Sequence, residues 1–285
     1  MKIFSIYESM EKSADFCPDG QNIKLLVRHS IRQEIKEGAS IEEIENAQLT
    51  REGKKMAERM GKSINMDIGT ISSSYSQRCI DTCHEIINGY NKNHIEHSYT
   101  ILKTEMLQCP HLKKENIQEE HETWEKLGIE GIFDCFSKDT NMPGFYDLET
   151  STNRIINYLF EIGNKNNTID IFCTHDFQLA MLLLFFNGKS YEYKQSLFNG
   201  KDNWPFMLEG MFLWRNKNNI SASWRGEIIK MQSSKRRITY GKRFAAFGGS
   251  GYAKMQSGYA LCAFLLHHIF AVAGIASQFL LKFWI

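Results

Sequence analysis

The residues able to do chemistry sit at three places along the chain. The stretch "IKLLVRHSIRQE" (Ile23 to Glu34) runs an apolar segment straight into Arg28, His29 and Arg32. The stretch "GTISSSYSQR" ends in Arg78, and "TIDIFCTHDF" ends in Thr174, His175 and Asp176. Each cluster follows a short apolar run of the kind that forms a buried strand. Cations crowded at a strand end are costly unless an anion joins them. Taken singly, an Arg-His pair, a His-Asp pair opening a helix and a helical arginine are ordinary structural features. Brought together at neighbouring strand ends, they make a pocket for a dianion plus one acid. Parallel sheets bind ligands at those ends. A phosphate monoester fits, because arginine forks match its oxygens and stabilise phosphoryl transfer. A neutral histidine beside them can attack phosphorus. Asp176 is the nearest candidate to protonate the leaving oxygen. The arginines supply the positive charge, so neither a metal nor a cofactor is expected.

The elements that must hold these residues can be read from the pattern. Ile23 to Val27 reads as a strand buried on both faces. Thr50 caps a predicted helix in "LTREGKKMAERMGKSI", where Met56, Met60 and Ile64 recur every four residues. "GTISSSYSQRCIDTCHEIING" reads as strand, serine-rich turn and helix, with Gly89 as its stop. "SYTIL" (Ser98 to Leu102) is a predicted strand. Lys113 to Met142 reads as a polar insertion with a helix near Glu119 to Leu127, and as part of a lid. "TSTNRIINYLFEIG" is an amphipathic helix, and "TIDIFCTHDFQLAMLLLFFNG" is again strand, turn and helix. "EGMFLWR" and "ISASWRG" flank "NKNN" as a hairpin. Strands separated by helices imply an α/β fold, a mostly parallel central sheet covered on both faces. In "NWPFMLEG", Trp204 and Glu209 could line the pocket mouth, although a core tryptophan and a solvated glutamate are the simpler reading.

These segments resemble the histidine phosphatase superfamily, which also contains the cofactor-dependent phosphoglycerate mutases. "LLVRHSIR" is similar to its Arg-His-Gly signature, and "LTREGKKMAERMGK" to the Leu-Thr-x-x-Gly helix that follows. "SSSYSQRCIDTCHEI" resembles the segment with the second arginine, and "IFCTHDFQLAMLL" the segment with the second histidine. The resemblance runs in order from about Ile23 to Trp224. It implies a three-layer α/β/α sandwich and a metal-independent phosphomonoesterase acting through a phosphohistidine. It also implies that His29 is the nucleophile and that Arg28, Arg78 and His175, joined by Arg32, hold the phosphoryl group. The acid is Asp176 in one branch of that family. In the other it is a glutamate after a middle strand, where Glu105 of "ILKTEML" stands. Two positions depart from the pattern: Ser30 replaces a glycine, and Tyr75 replaces a proline common in the serine-rich turn. A mutase-type phosphotransferase and a non-catalytic phosphate-binding module are the alternative readings. The expected partner is a small phosphorylated substrate or a phosphoprotein.

Composition divides the chain at Met231. Of the 34 Lys and Arg residues, seven follow it and no Asp or Glu does, leaving 27 against 33 acidic residues before it. The body is therefore net −6 and the tail +7, while the whole chain is +1, which argues against nucleic acid as a partner. Residues 1–231 are expected to form the catalytic domain, and 232–285 a basic linker and a hydrophobic C-terminal helix. Tyr259 to Leu281 carries no formal charge. As a helix it would be about 34 Å long, enough for a hydrocarbon core of about 30 Å. The basic cluster before it predicts a cytoplasmic body tethered at its C-terminus; a helix packed on the domain and a foreign segment are the other readings. The seven cysteines are scattered without a CxxC pair, which fits neither a disulfide framework nor a zinc site.

Overall fold

The fold is built outward from β1 (Ile23–Arg28), which is buried along its whole length. Its side chains alternate, with Leu25 and Val27 packing on one side of the sheet and Leu26 on the other. The computed structural model describes residues 7–36, 39–113, 117–199, 203–216 and 219–230. β4 (Thr168–Thr174) runs parallel to β1 and sets Thr174 opposite Arg28. β2 (Asp67–Ser73) lies parallel on the other side of β4, with Ser73 opposite Cys173. β3 (Ile101–Lys103) continues the parallel set, and Lys103 pairs with Ser73. The carboxyl ends of four strands therefore lie side by side. Beyond β1 the direction reverses through β5 (Gly210–Asn216), β6 (Asn219–Trp224) and β7 (Glu227–Lys230), giving the order β3-β2-β4-β1-β5-β6-β7.

Helices cover both faces. On one side lie α1 (Glu8–Ala14), α3 (Arg51–Ser63) and α4 (Gln77–Asn91), sharing a core with Leu25, Val27 and Ile171. The other side carries α5 (Ile117–Ser137), α6 (Leu148–Glu161), α7 (Asp176–Phe186) and α8 (Tyr191–Asn199), packed on Leu26, Phe172 and Leu213. A short α2 (Ile41–Glu45), closed by a Ser40–Glu43 capping box, lies between β1 and α3 in sequence. The result is an α/β/α sandwich with a mixed, mostly parallel sheet. At the end of the sheet away from the three clusters, the fully buried Lys24–Asp170 pair (2.7 Å) is satisfied by Ile162 O, Gly163 O and Thr70 N–H.

Several local expectations change. The strand expected at Ser98 to Leu102 is the three-residue β3, shifted to Ile101–Lys103 at the sheet edge. Gly89 does not stop α4, which runs to Asn91. It serves as a contact: a Cβ there would collide with Glu58 O, as one on Gly61 would with Ile86 O, so α3 and α4 meet backbone to backbone. The helix expected near Glu119 to Leu127 is α5, which turns at Gly128, where φ is +60°. Sequence reading missed α1, α2, α8 and β7. The tail from 232 to 285, with the span 259–281, lies outside the described residues, and among these no helix is long and apolar enough to cross a membrane.

Candidate active site

The row of strand ends gathers the charged residues. Arg28 closes β1 and His29 follows it, fixed through backbone bonds from His29 N to Thr174 O (3.0 Å) and from Leu208 N to His29 O (3.1 Å). The His29 ring is 3% exposed. Its Nδ1 lies 2.8 Å from Ser30 O, and a carbonyl can only accept, so Nδ1 carries the proton. That leaves the Nε2 lone pair for chemistry. Burial, with Arg78, Arg28 and His175 nearby, holds the imidazole well below its ordinary value, so it is neutral at pH 7.

Arg28, Arg32 and Arg78 are all buried. Arg28 Nη1 donates to Pro205 O (2.6 Å), and Nη2 pairs with Asp176 Oδ2 (2.9 Å). Arg32 Nη1 donates to Gln33 O (2.7 Å). Burial first, and then the adjacent Arg78 and Arg28, push Arg32 down to about 9. Arg78 stands in the first turn of α4, as expected. Its Nη1 donates to Ile44 O (2.8 Å) and its Nη2 to His175 Nδ1 (3.2 Å). Arg28 Nε and Arg78 Nε have no hydrogen-bond partner among the described residues.

His175 caps the start of α7, and its ring centroid is 5.5 Å from that of His29. Because Arg78 can only donate, His175 Nδ1 accepts. Nε2 then carries the proton and donates to Ser74 Oγ (3.0 Å). Asp176 is 31% exposed, yet its oxygens are occupied. Oδ2 accepts from Arg28 and from Trp204 Nε1 (3.0 Å), and Oδ1 from Phe177 N–H (2.9 Å). Burial raises its carboxyl, but Arg28, the Trp204 bond and His175 outweigh that and hold it below the usual range. Glu105 is placed differently. It opens a 3-10 turn (Glu105–Leu107) directly after β3, where Thr104 N–H is bonded to Ser73 O (3.0 Å) and Leu107 O accepts from Thr174 Oγ1 (2.6 Å). The turn thus belongs to the same row of strand ends, and Glu105 is partly exposed there.

Both departures from the expected pattern have a use. Ser30 Oγ donates to Gly53 O (2.8 Å) and its N–H to Thr82 Oγ1 (2.9 Å), tying the loop to α3 and α4. Gly53 itself must be glycine, because a Cβ would collide with Ile31 O. Tyr75 donates its backbone N–H to Gln108 Oε1 (2.9 Å), a bond proline could not make. The reading of Glu209 as solvated is corrected: it is 1% exposed and holds Arg225 through two bonds of 2.7 and 2.8 Å. It also accepts from Phe206 N–H, so it braces the segment bearing Trp204 and Pro205. Sequence reading missed Ser74, Gln108, Trp204 as an Asp176 partner, and Glu45. Only Ser74 left a signal, as part of a serine-rich turn. Glu45 is partly exposed, accepts from Gln108 Nε2 (3.3 Å), and is raised by burial against the opposing effects of that bond and of Arg78.

A family model described as "Histidine phosphatase superfamily (branch 1)" matches residues 25–199. No curated protein matches the chain. Among solved structures it is similar to YhfR of Bacillus stearothermophilus, at 15% identity and a TM-score of 0.47, covering 72% of this chain and 97% of that one. It is also similar to an Entamoeba histolytica phosphoserine phosphatase in complex with phosphoserine, at 12% identity and TM-score 0.44, covering 74% and 98%. A mycobacterial glucosyl-3-phosphoglycerate phosphatase is similar at 11% identity and TM-score 0.43, covering 72% and 99%.

Proposed function

The chain belongs to the histidine phosphatase superfamily, and we propose that it is a metal-independent phosphomonoesterase working through a phosphohistidine at His29. The observation that carries this is the protonated Nδ1 of a buried, neutral His29 set among Arg28, Arg78 and His175. Nε2 attacks phosphorus as the bond to the leaving oxygen breaks. Arg28, Arg32 and Arg78 balance the charge on the phosphoryl oxygens, and His175 would give its Nε2–H to one of them in place of Ser74 Oγ. Water then attacks the phosphohistidine, the P–N bond breaks, and inorganic phosphate leaves.

The leaving oxygen needs a proton. Asp176 was the nearest candidate from its position, but an ionised carboxylate already accepting three hydrogen bonds is a poor donor. Glu105, on the rim beside the Ser73–Ser74 end of β2, is the better acid in this proposal, and Asp176 orients Arg28.

Rapid-quench trapping with a labelled generic phosphomonoester tests the covalent step. The wild type is expected to yield an acid-labile, base-stable phosphoenzyme and His29→Ala none. A phosphoenzyme that survives His29→Ala would sink the assignment. Tethering of the body by residues 259–281 is a separate proposal resting on their uncharged run; partition of the full chain between detergent and water tests it.

A further inference from the structure

The charges around the pocket say something about the leaving group. Three guanidiniums and the Asp176 carboxylate give its interior a net charge of +2, which a monoester dianion neutralises. One carboxylate stands close by, that of Glu45. Glu45 ends α2, whose Ile44 carbonyl takes Arg78 Nη1 (2.8 Å). Its Oε1 accepts from Gln108 Nε2, and that bond joins α2 to the turn that Glu105 opens. Gln108 is pinned in turn, since its Oε1 accepts from Tyr75 N–H and its carbonyl from Gln178. Glu45 is therefore held, partly exposed, beside Arg78 rather than free to swing away. A second anionic group on the substrate would be repelled by this half-buried carboxylate, whereas an ammonium or hydroxyl would be attracted.

We infer, granting the phosphatase reading, that Glu45 is a specificity-determining residue that selects esters with a cationic or hydroxylated leaving group and rejects those bearing a second anion. The same charge arrangement disfavours a bisphosphate as partner.

Binding of non-hydrolysable phosphonates separates this from catalysis. Titration calorimetry would compare methylphosphonate, 2-aminoethylphosphonate and 2-carboxyethylphosphonate on the full chain. The wild type is expected to bind the amino compound at least about tenfold more tightly than the carboxy compound. Glu45→Gln should shrink that ratio about fivefold while methylphosphonate stays within twofold, and Glu45→Asp should restore part of it. An unchanged ratio in Glu45→Gln overturns the inference. So does an equal loss for all three ligands, which would make Glu45 only a brace for Arg78. If the wild type forms the phosphoenzyme but shows no amino preference, the inference fails and the phosphatase reading stands. If the preference appears without any phosphoenzyme, the reading fails and the selection stands.

Discussion

Asp176 accepts from a guanidinium, an indole and a backbone amide, and these contacts decide what it can do. A group that orients Arg28 affects every substrate alike, whereas a proton donor matters most when the leaving oxygen is basic. Asp176→Asn is therefore expected to lower kcat/KM on alkyl phosphates and on nitrophenyl phosphate by similar factors. Glu105→Gln should slow alkyl phosphates about 10²–10³-fold and nitrophenyl phosphate far less. Steady-state rates on both substrate types check this, and a leaving-group-selective loss in Asp176→Asn would reverse the two roles. At this scale the candidate site residues were legible because Arg28, His29 and His175 directly follow apolar runs and Arg78 follows one through a serine-rich turn. Glu45 was not, since nothing in "IEEIEN" marks its end for a site and only the fold brings it to Arg78.

Among the elements, α5 carries an unusual burden. Glu120 is 3% exposed, its Oε1 has no partner among the described residues, and burial raises its carboxyl to about 8 against the Trp124 bond. The unfolded chain loses that proton near 4.5, while the folded chain keeps it until about 8. Folding therefore takes up a proton between those values, and this group's stabilisation is lost as pH rises through the window. The slope is at most about 1.4 kcal/mol per pH unit. The buried His29 and His111 have lowered pKa values and act in the opposite sense below pH 6.5. The test is therefore the difference: the urea midpoint of the wild type should decline relative to that of Glu120→Gln as pH rises from 5 to 8. Parallel curves would mean Glu120 is ionised in the folded protein. The elements themselves were legible where periodicity or capping was strong: Thr50 accepts from Gly53 N–H (3.0 Å) as a cap should. α2 is too short for any periodicity to register, β3 was found but misplaced by a few residues, and only the first half of α5 was read because its polar composition hides the rest.

For the whole molecule, the alternation of strands and helices was enough to read a mostly parallel sheet covered on both faces, and the family resemblance added the three-layer sandwich. The reversal after β1 was legible only as a hairpin, since nothing in "EGMFLWR" says which strand it will join. The charge division at Met231 is also a whole-molecule property. If residues 259–281 anchor the body, the full chain should enter the detergent phase and a chain ending at Met231 should remain in water; a full chain in the aqueous phase ends that proposal.

The sheet order has a consequence in time. β1 is the first strand of the sheet to be synthesised, yet its two neighbours are β4 and β5, which begin at Thr168 and Gly210. On a ribosome adding about 5–20 residues each second, the strand bearing Arg28 would wait tens of seconds for its β5 neighbour. Until β4 is made "IKLLV" is an apolar strand with neither neighbour, and until β5 follows one of its edges stays open, so this stretch is exposed to wrong pairing for longer than any other inner strand of the sheet.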